Sequence, residues 1–397
     1  MNGFFKISER GSSVSDEVVG GITTFLAMAY IIAVNPDLME AAGIPFEAAL
    51  TSTCLGAAIM TIAMGLIANR PIALASGMGI NAIVAYTLCL GEIGVDWRVA
   101  MAVIFLEGIV ILVLVLCGLR KAIMDAIPVD LRRAIGIGIG LFIAFIGLKG
   151  GGLIAADEST ILTLGEVSSP TCIVALVSIL VAVVLQVLKV KGGLVISIIA
   201  ATVIGIPLGV TLLPTEWNFG LDFSAFAAPF QTDPATGTIA VIQVFMQPIL
   251  LVDSAAAAAG GFLGASSITS FVESASGAAA GARTGLSNVV VGVLFALCAF
   301  FAPIIGMVSS AATCGALVVV GYLMLVDVAE IDWKRIEHAM PAFFTIVGIP
   351  MTYSITNGIG LGFISYCVIM LVQGRGRDVH PLMWVAALAF LVMFVIA

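Results

Sequence analysis

The sequence has few charged side chains. Lysine, arginine, aspartate and glutamate make up 10% of the 397 residues, whereas an average protein contains about 25%. Hydrophobic residues make up 61% of the chain, and a water-soluble globule cannot bury that much apolar surface. Since roughly 20 apolar residues cross a bilayer as a helix, the composition predicts a helical membrane protein with many crossings.

Residues with metal-binding or nucleophilic chemistry are also scarce. The two histidines, His338 and His380, flank separate predicted spans, and the seven cysteines are scattered singly without a CxxC spacing. These patterns predict interfacial histidines and packing cysteines rather than a metal site or a catalytic pair. We therefore expect a protein that is not an enzyme and holds no cofactor. The net charge of −8, with much of the acid in loops, argues against nucleic acid as a partner.

A cleaved signal peptide is not indicated at the N-terminus. The first apolar stretch, 18–34, follows Lys6 and Arg10, but no small-residue cleavage site comes after it. An Asn-Pro pair closes this stretch, and another apolar span begins shortly afterwards. We therefore expect the stretch to remain as the first crossing.

Hydropathy predicts two series of crossings that are separated by a polar loop at 214–237. The first series lies near 18–35, 46–68, 71–90, 99–118, 134–150, 172–189 and 193–213. The second series lies near 239–264, 265–282, 285–306, 311–328, 338–353, 357–373 and 381–397. The two series are similar in length, as two structural repeats would be.

The basic residues favour a cytoplasmic N-terminus. With that orientation the inner side holds Lys6, Arg10, Arg70, Arg120, Lys121, Arg132, Arg133, Lys189 and Lys191, and the outer side holds Arg98 and Lys149. This distribution follows the positive-inside rule. An odd number of crossings then places the polar loop outside, so the second series enters with the opposite orientation, as in an inverted repeat.

Continuing the count shows that one crossing is missing. With single crossings at 239–264 and 265–282, the outer side would receive Arg283, Lys334, Arg335, Arg375 and Arg377. That result contradicts the positive-inside rule. The stretch 241–264 therefore either contains two short passes or has lost a helix.

The third predicted segment is interrupted. Its beginning, 71–81, combines a proline with glycines, a serine and an asparagine, so a continuous helix through 76–79 is not expected. Ten residues separate Asn81 from Gly91, which is about 15 Å of helix at 1.5 Å per residue. Half of a roughly 30 Å hydrocarbon core is also about 15 Å, so the interruption is expected near mid-membrane.

The segment at 265–282, counted as the tenth because 241–264 stands for two crossings, has the same design in the opposite direction. Serine and threonine residues precede Glu273, and a small-residue helix is predicted to continue to Arg283. If that helix is regular, Glu273 also lies about 15 Å from its end, near mid-membrane. The N-termini of the two half-helices would then face one another across the bilayer centre.

Interrupted helices at this depth indicate a ligand site. Unwound backbone lacks partners in lipid and is tolerated where it is buried in protein or lines a cavity. Helix N-termini offer N–H donors to carbonyl or ring-nitrogen acceptors, and a carboxylate such as Glu273 accepts from a ring N–H. The pattern suits a small planar ligand with donors and acceptors. Close helix packing is the alternative interpretation of 76–79, and a structural role is the alternative for Glu273.

Two further acids lie in predicted spans. Glu107, in the fourth segment, either binds polar groups of a neighbouring helix or moves a proton. Asp253 precedes a run of alanine and glycine, where it either ends a helix or takes part in function. The sequence leaves both pairs of alternatives open.

Several motifs together resemble one transporter family. They are Ile22-Thr-Thr-Phe-Leu-Ala-Met-Ala-Tyr-Ile-Ile-Ala-Val-Asn-Pro36, Gly77-Met-Gly-Ile-Asn81, Thr269-Ser-Phe-Val-Glu-Ser-Ala-Ser-Gly277, Gly281-Ala-Arg-Thr-Gly-Leu286, and Pro341-Ala-Phe-Phe-Thr345 with Met351-Thr-Tyr-Ser-Ile355. With these motifs the chain resembles the nucleobase:cation symporter-2 superfamily, in its adenine/guanine/hypoxanthine (azaguanine-like) permease branch.

The resemblance implies an all-α polytopic membrane protein with a seven-plus-seven inverted repeat, a core domain and a gate domain. Short extended stretches are implied where the third and tenth segments are interrupted. The implied division is a cytoplasmic N-terminus at 1–17, a core domain at 18–118 and 239–306, a gate domain at 119–213 and 307–397, and an extracytoplasmic loop at 214–238.

The resemblance also implies import of purine nucleobases by proton symport with alternating access, across the plasma (inner) membrane. The implied substrate-binding residues are Gly77, Met78, Gly79, Asn81, Thr269, Ser270 and Glu273, with Thr24 and Met28 as weaker candidates. Glu273 would hold the base and change protonation, and Glu107 is a second candidate for proton coupling. H⁺ is the expected coupling ion and Na⁺ is the alternative, and a homodimer is an open alternative to a monomer.

Two departures from the family pattern affect this interpretation. Ser76 stands where the family more often has proline. The larger departure is in the eighth segment, because 241–246 resembles its beginning and 247–254 already resembles the ninth segment. Most of the eighth helix, with its acidic Phe-Asp-Thr stretch, is therefore predicted to be deleted, and Asp253 does not replace the lost acid because its flanks match the ninth segment.

Two alternatives to purine import stay open. Helix N-termini attract anions as well as carbonyl groups, so an anion carrier of the same fold type is the first, although Glu273 argues against it. The second is a binding-only or impaired homologue that lacks one core helix. The deletion predicted near Met246 is the reason for considering it.

Overall fold

A computed structural model describes residues 2–91, 94–116, 126–157, 159–214, 217, 219–241, 268–270 and 274–396. Glu273, Asp253 and most of the predicted eighth and ninth segments lie outside this described part. The described residues are mainly helical, which agrees with the predicted class.

The helices of the first half are α1 Asn2–Phe5, α2 Val14–Met28, α3 Ile31–Ala41, α4 Phe46–Ala63, α5 Met78–Ala82, α6 Trp97–Leu116, α7 Val129–Gly150, α8 Pro170–Val187 and α9 Gly193–Gly205. Those of the second half are α10 Ser274–Ala279, α11 Leu286–Cys298, α12 Ala302–Ile305, α13 Ser310–Met324, α14 Ile336–Met351, α15 Ile355–Val372 and α16 Pro381–Ile396. The strands are β1 Leu74–Ser76, β2 Ile154–Asp157, β3 Ile161–Leu164 and β4 Ile268–Ser270. Wider π-helical turns continue α4 over Met64–Ala68 and α5 over Ile83–Cys89.

Seven helical stretches in the described part are long and apolar enough to cross a bilayer. They are Val14–Ala41, Phe46–Ala68, Val129–Gly150, Pro170–Val187, Leu286–Ile305, Ser310–Glu330 and Ile355–Val372. Each coincides with a predicted crossing. Shorter apolar helices at Met78–Cys89, Gly193–Gly205, Ile336–Met351 and Pro381–Val395 occupy four more of the predicted positions.

Local sequence signals explain where several helices begin. The Ser13 side chain precedes α2 and accepts a hydrogen bond from the backbone N–H of Asp16, and the Ser13 N–H donates to the Asp16 carboxylate in return. This reciprocal capping satisfies two backbone donors that a helix start leaves open. Ser169 caps α8 and Ser354 caps α15 through the same kind of side-chain acceptor.

The described chain forms two compact units. The first unit comprises Met1–Ile109 and Gly147–Ala316, and the second unit comprises Val110–Ile146 and Leu317–Ala397. The second unit has an apolar core in which Leu131 of α7 packs with Phe363 and Cys367 of α15 and Met383 of α16. The predicted boundaries of the core and gate domains remain a prediction.

A short hairpin that sequence patterns did not indicate lies between α7 and α8. Strands β2 and β3 pair antiparallel, with Ile154 opposite Leu164 and Asp157 opposite Ile161. The Asp157 carboxylate accepts hydrogen bonds from the Ser159 hydroxyl and from the backbone N–H and hydroxyl of Thr160. These donors hold the pKa of Asp157 well below its usual value, because they stabilise the charged form.

Candidate functional site

The third segment is interrupted where glycine, serine and proline predicted the interruption. Strand β1 ends at Ser76, Gly77 takes extended dihedral angles as the N-cap, and α5 begins at Met78. The helix then widens into π-helical turns from Ile83, a geometry that is rare and occurs frequently at functional sites. A broken helix with an irregular continuation therefore stands at the predicted site.

Strand β1 pairs with β4 of the tenth segment, so the two interruptions lie side by side. The pairing is antiparallel, with Leu74 opposite Ser270, Ala75 opposite Thr269, and Ser76 opposite Ile268. The ladder provides the unwound backbone with hydrogen-bond partners inside the protein, which a segment without helix needs in a membrane. It also brings the backbone of two predicted site residues, Thr269 and Ser270, next to the third segment.

Side chains from other helices form hydrogen bonds with backbone N–H and C=O groups of residues 70–74, in and just before β1. Thr61 of α4 accepts a hydrogen bond from the Leu74 N–H at 2.9 Å and donates to the Leu74 carbonyl at 2.8 Å. Ser274, at the start of α10, accepts from the Ala73 N–H at 3.0 Å. Asn288 of α11 donates to the carbonyl oxygens of residues 70 and 72, both at 2.8 Å.

Asn81 lies at the centre of a buried chain of hydrogen bonds. Its side-chain nitrogen donates to the Asn35 side-chain oxygen of α3, and its oxygen accepts from the Ser76 hydroxyl at 3.1 Å. Asn35 in turn donates to the Thr53 hydroxyl of α4 at 2.7 Å, and that hydroxyl donates to the Ala49 carbonyl at 2.6 Å. The four linked side chains are almost completely buried, so their polar groups find partners inside the protein rather than in water.

The other third-segment candidates surround Asn81 along the chain. Met78 is buried in the first turn of α5, whereas Gly77 and Gly79 are partly accessible. Glycine lacks a side chain, so the backbone at these two positions can be approached closely by a ligand. The backbone N–H of Asn81 is already bonded to the Gly77 carbonyl at 3.0 Å.

The tenth segment differs from its prediction in length. The helix expected to continue to Arg283 spans only Ser274–Ala279, and the chain then turns through Gly281, whose φ is +112°. A hydrogen bond from the Ala282 N–H to the Gly277 carbonyl closes this turn. The depth estimate for Glu273 assumed ten regular helical residues, and the early turn removes that basis. Glu273 itself lies outside the described residues.

The two first-segment candidates are buried in α2. Thr24 lies against Gly277 of α10, and a Cβ added to Gly277 would collide with the Thr24 hydroxyl. Met28 is completely buried in the last turn of the same helix. Thr24 therefore contacts the tenth segment directly. Glu107, the second proton-coupling candidate, is buried in α6 and is 6% exposed.

Glu17 is a buried acid near the tenth segment that sequence reasoning missed. Its carboxylate accepts from the backbone N–H groups of Arg283 at 2.8 Å and Thr284 at 3.1 Å, and the residue is completely buried. Close by, Asn69 accepts from the Gly285 N–H at 2.9 Å, and Arg10 donates to the Asn69 carbonyl at 2.5 Å. This group fastens the loop after α10 to the N-terminal segment and to the residues before β1.

Sequence signals for these supporting residues were weak. Glu17 lies at the polar edge of the first apolar stretch, where an acid normally faces water or caps a helix. Asn35 precedes Pro36, and the pair indicates only the end of an apolar run. In the described part, no group of three or more histidine, cysteine, aspartate or glutamate side chains could hold a metal ion.

Comparison with protein families decides the classification. The model of the Permease family matches residues 15–250 and 245–361. The chain belongs to the Permease family. The guanine/hypoxanthine permease PbuG of Bacillus subtilis is 38% identical, with 100% of this chain and 99% of the relative covered. The adenine permease AdeP of Escherichia coli is 37% identical, with coverages of 98% and 95%. The predicted resemblance to adenine/guanine/hypoxanthine permeases is therefore confirmed, and the chain is a membrane transporter rather than an enzyme.

The fold also resembles solved transporter structures. The transmembrane domain of the bicarbonate transporter BicA from a cyanobacterium superposes with a TM-score of 0.59 at 15% identity, covering 86% of this chain and 96% of that domain. The overall structure of SLC26A9 superposes with a TM-score of 0.58 at 13% identity, covering 91% and 66%. These likenesses concern the fold alone. They confirm the predicted all-α membrane protein with a seven-plus-seven inverted repeat.

The alignment with PbuG is also longer than this chain. The alignment with PbuG has 438 positions, which is 41 more than the 397 residues of this chain. At least that many residues of the relative therefore have no counterpart here. The family match is divided into two pieces that overlap at 245–250, within the stretch where the charge count lacked a crossing.

Proposed function

We propose that this permease imports purine nucleobases. The observation that carries the proposal is the pairing of β1 with β4, because it brings the third and tenth segments together around a buried amide, Asn81. Relatives named guanine/hypoxanthine and adenine permeases, aligned over nearly the whole chain, support the same ligand class. The fold neighbours do not bear on the substrate, because their identities of 13–15% concern architecture only.

The chemistry of the site suits a purine base. A purine is planar and presents donors and acceptors on its edges, and an asparagine amide can pair with an adenine edge in two hydrogen bonds. In our proposal the base lies beside Asn81 and the accessible backbone of Gly77 and Gly79, with Met78, Thr269 and Ser270 in the surrounding wall. The Glu273 carboxylate accepts a hydrogen bond from a ring N–H of the base. Thr24 and Met28 of α2 pack behind the residues that surround the base.

Proton symport with alternating access is the transport mechanism that we propose. Glu273 precedes Ser274, the first residue of α10, and a carboxylate between a strand and a helix can take up a proton when the base binds. Glu107, buried in α6, is the second coupling candidate. Movement of a core domain at 18–118 and 239–306 against a gate domain at 119–213 and 307–397 would expose the site to each side in turn.

The location that we propose is the plasma (inner) membrane, with residues 1–17 in the cytoplasm and the loop at 214–238 outside. The basic residues of the first series support this orientation through the positive-inside rule. H⁺ is the coupling ion in this proposal, Na⁺ is the alternative to be tested, and a homodimer remains a prediction.

The length of the alignment is the reason for keeping a second candidate, a protein that binds the base without transporting it. We infer that the missing residues include most of the eighth helix, since 41 residues exceed the roughly 20 that one crossing needs. Loss of one helix would place the loop after α10 on the wrong side of the membrane, unless the neighbouring segment crosses twice. Binding could survive that change, because the Asn81 side chain keeps its bonds to Ser76 and Asn35 in this chain.

Uptake of labelled hypoxanthine, guanine and adenine tests the proposal in cells that lack their own purine permeases. We expect saturable uptake that an uncoupler abolishes and that Na⁺ removal leaves unchanged. Glu273→Gln should abolish uptake, and Glu107→Gln should reduce it if Glu107 shares the proton. Uptake by Glu273→Gln at the wild-type rate would rule out Glu273 as the proton carrier.

Binding and transport separate the two candidates. Purified protein would be titrated with each base and then reconstituted in liposomes with an imposed proton gradient. Binding together with gradient-driven uptake supports the symporter. Binding without uptake supports the impaired homologue, and an absence of both overturns the assignment of purines as the ligand.

A further inference from the structure

The hydrogen-bond chain that reaches Asn81 has a direction. At one end, the Thr53 hydroxyl donates its single hydrogen to the Ala49 carbonyl at 2.6 Å, and a carbonyl oxygen can only accept. The Thr53 oxygen is then left as an acceptor. Asn35 consequently presents its NH₂ group to Thr53, at 2.7 Å, and its oxygen to Asn81.

The orientation of the Asn35 amide in turn fixes the orientation of the Asn81 amide. Because Asn35 offers an oxygen, Asn81 presents its NH₂ group to α3, and its own oxygen faces the Ser76 hydroxyl at 3.1 Å. If both amides were reversed, Asn35 would present its oxygen to Thr53. The single Thr53 hydrogen could then bond either Asn35 or the Ala49 carbonyl, and one hydrogen bond would be lost. The observed direction is therefore favoured by one buried hydrogen bond.

We propose that Asn35 and Thr53 are positioning residues that set which way the Asn81 amide points, and thereby the discrimination between 6-oxo and 6-amino purines. The proposal rests on the purine-binding function proposed above. The two classes of base differ in the group on ring carbon 6. The 6-oxo base presents a hydrogen-bond acceptor there, and the 6-amino base presents a donor. If the orientation of the Asn81 amide is fixed, its hydrogen bonds match one of the two base edges better than the other. If the amide can rotate by 180°, it can bond to either edge.

Substitution of Thr53 tests the direction without touching the ligand-binding residues. Thr53→Val keeps the shape of the side chain and removes the acceptor, so this end of the chain no longer favours one orientation of the two amides. Thr53→Ser keeps the acceptor. Thr51→Val is a matched control, because Thr51 is equally buried on the same helix and accepts from the Asp222 N–H outside the Asn81 chain.

The measurement is the ratio of the dissociation constants of purified protein for hypoxanthine and adenine. In the wild type we expect this ratio to differ clearly from one. In Thr53→Val we expect it to move toward one by about tenfold, the effect of a single hydrogen bond. Thr53→Ser and Thr51→Val should keep the wild-type ratio. Asn35→Leu removes the acceptor that faces Asn81 and should resemble Thr53→Val, so it carries the test if Thr53→Val does not fold.

The outcomes distinguish this proposal from the function on which it rests. A folded Thr53→Val or Asn35→Leu protein with the wild-type ratio would overturn the positioning role while leaving purine binding intact. A wild-type ratio near one would also overturn it. An equal change of ratio in Thr51→Val would assign the effect to the loss of any buried hydroxyl from α4. Failure of the wild type to bind either base would overturn both proposals.

Discussion

The two units differ in how they satisfy buried polar side chains. In the second unit, the described buried polar residues are Thr345 and Ser354, and each bonds locally. Thr345 donates to the Pro341 carbonyl one turn earlier in α14, and Ser354 caps α15. In the first unit, buried polar side chains join residues far apart in sequence, such as Glu17 with Thr284 and Ser274 with Ala73.

This difference follows from the continuity of the helices. A continuous helix satisfies its own backbone, so its neighbours need only apolar side chains such as those packed around Phe363. An interrupted helix leaves N–H and C=O groups that other elements must bind. In the first unit, threonine, serine and asparagine side chains therefore bind backbone groups. We expect substitutions of these residues to lower the free energy of unfolding more than substitutions in the second unit.

Loss of the Glu17 carboxylate should have the largest effect. Glu17→Ala removes the acceptor of two backbone N–H groups, those of Arg283 and Thr284, in a completely buried position. We expect the free energy of unfolding to fall by roughly 3–6 kcal/mol, because bonds to charged groups contribute about 1.5–3 kcal/mol each. Thermal unfolding in detergent measures the change. Glu9→Gln, at an exposed acid of the same segment, is the control and should leave unfolding unchanged.

Substitution of Thr61 tests the support of β1. Thr61→Val removes both hydrogen bonds to Leu74 while keeping the side-chain shape. We expect a loss of roughly 1–3 kcal/mol in the free energy of unfolding, since a buried donor and acceptor lose their partner. Purine affinity should fall as well, because β1 leads directly into Gly77. Thr61→Ser should restore both properties, and a stable Thr61→Val protein would show that the strand does not depend on α4.

Paired glycine substitutions compare helix packing in the two units. An added Cβ at Gly277 would meet Thr24 and the Gly20 carbonyl, whereas at Gly136 of α7 nothing lies within 4 Å. Gly277→Ala should destabilise the protein by roughly 1–3 kcal/mol through overpacking. Gly136→Ala should be neutral or slightly stabilising, because alanine favours a helix. Equal unfolding temperatures for the two variants would contradict the tight contact between α2 and α10.

The smallest effect is expected at an ion pair in the second unit. Arg133 contacts Glu330 at 2.6 Å and Asp130 at 3.3 Å, and the Glu330 side chain is 60% exposed. Arg133→Gln should change the free energy of unfolding by no more than about 1 kcal/mol, because solvent screens such pairs. The change should shrink further at high salt. Arg335→Gln, at the similarly exposed pair with Asp332, should behave alike.

Sequence patterns predicted much of the fold and part of the site. The positions of the crossings followed from hydropathy, and the interruption at 76–79 followed from the poor fit of proline, glycine and serine to a helix interior. The early end of α10 at Ala279 was not predicted, because alanine and glycine continue to Gly281 and composition alone does not mark the turn.

The sequence by itself determined that the chain crosses a membrane many times and that two segments break within it, because hydropathy and backbone propensity are properties of consecutive residues. Only the tertiary structure decided which groups satisfy those breaks. The register of Ser76 against Ile268, the bond between Asn81 and Asn35, and the bond from the Thr284 N–H to Glu17 each join separate segments of the chain. Such partners depend on how helices pack, and a hydroxyl or amide in an apolar run carries no local sign of the backbone that it will bind.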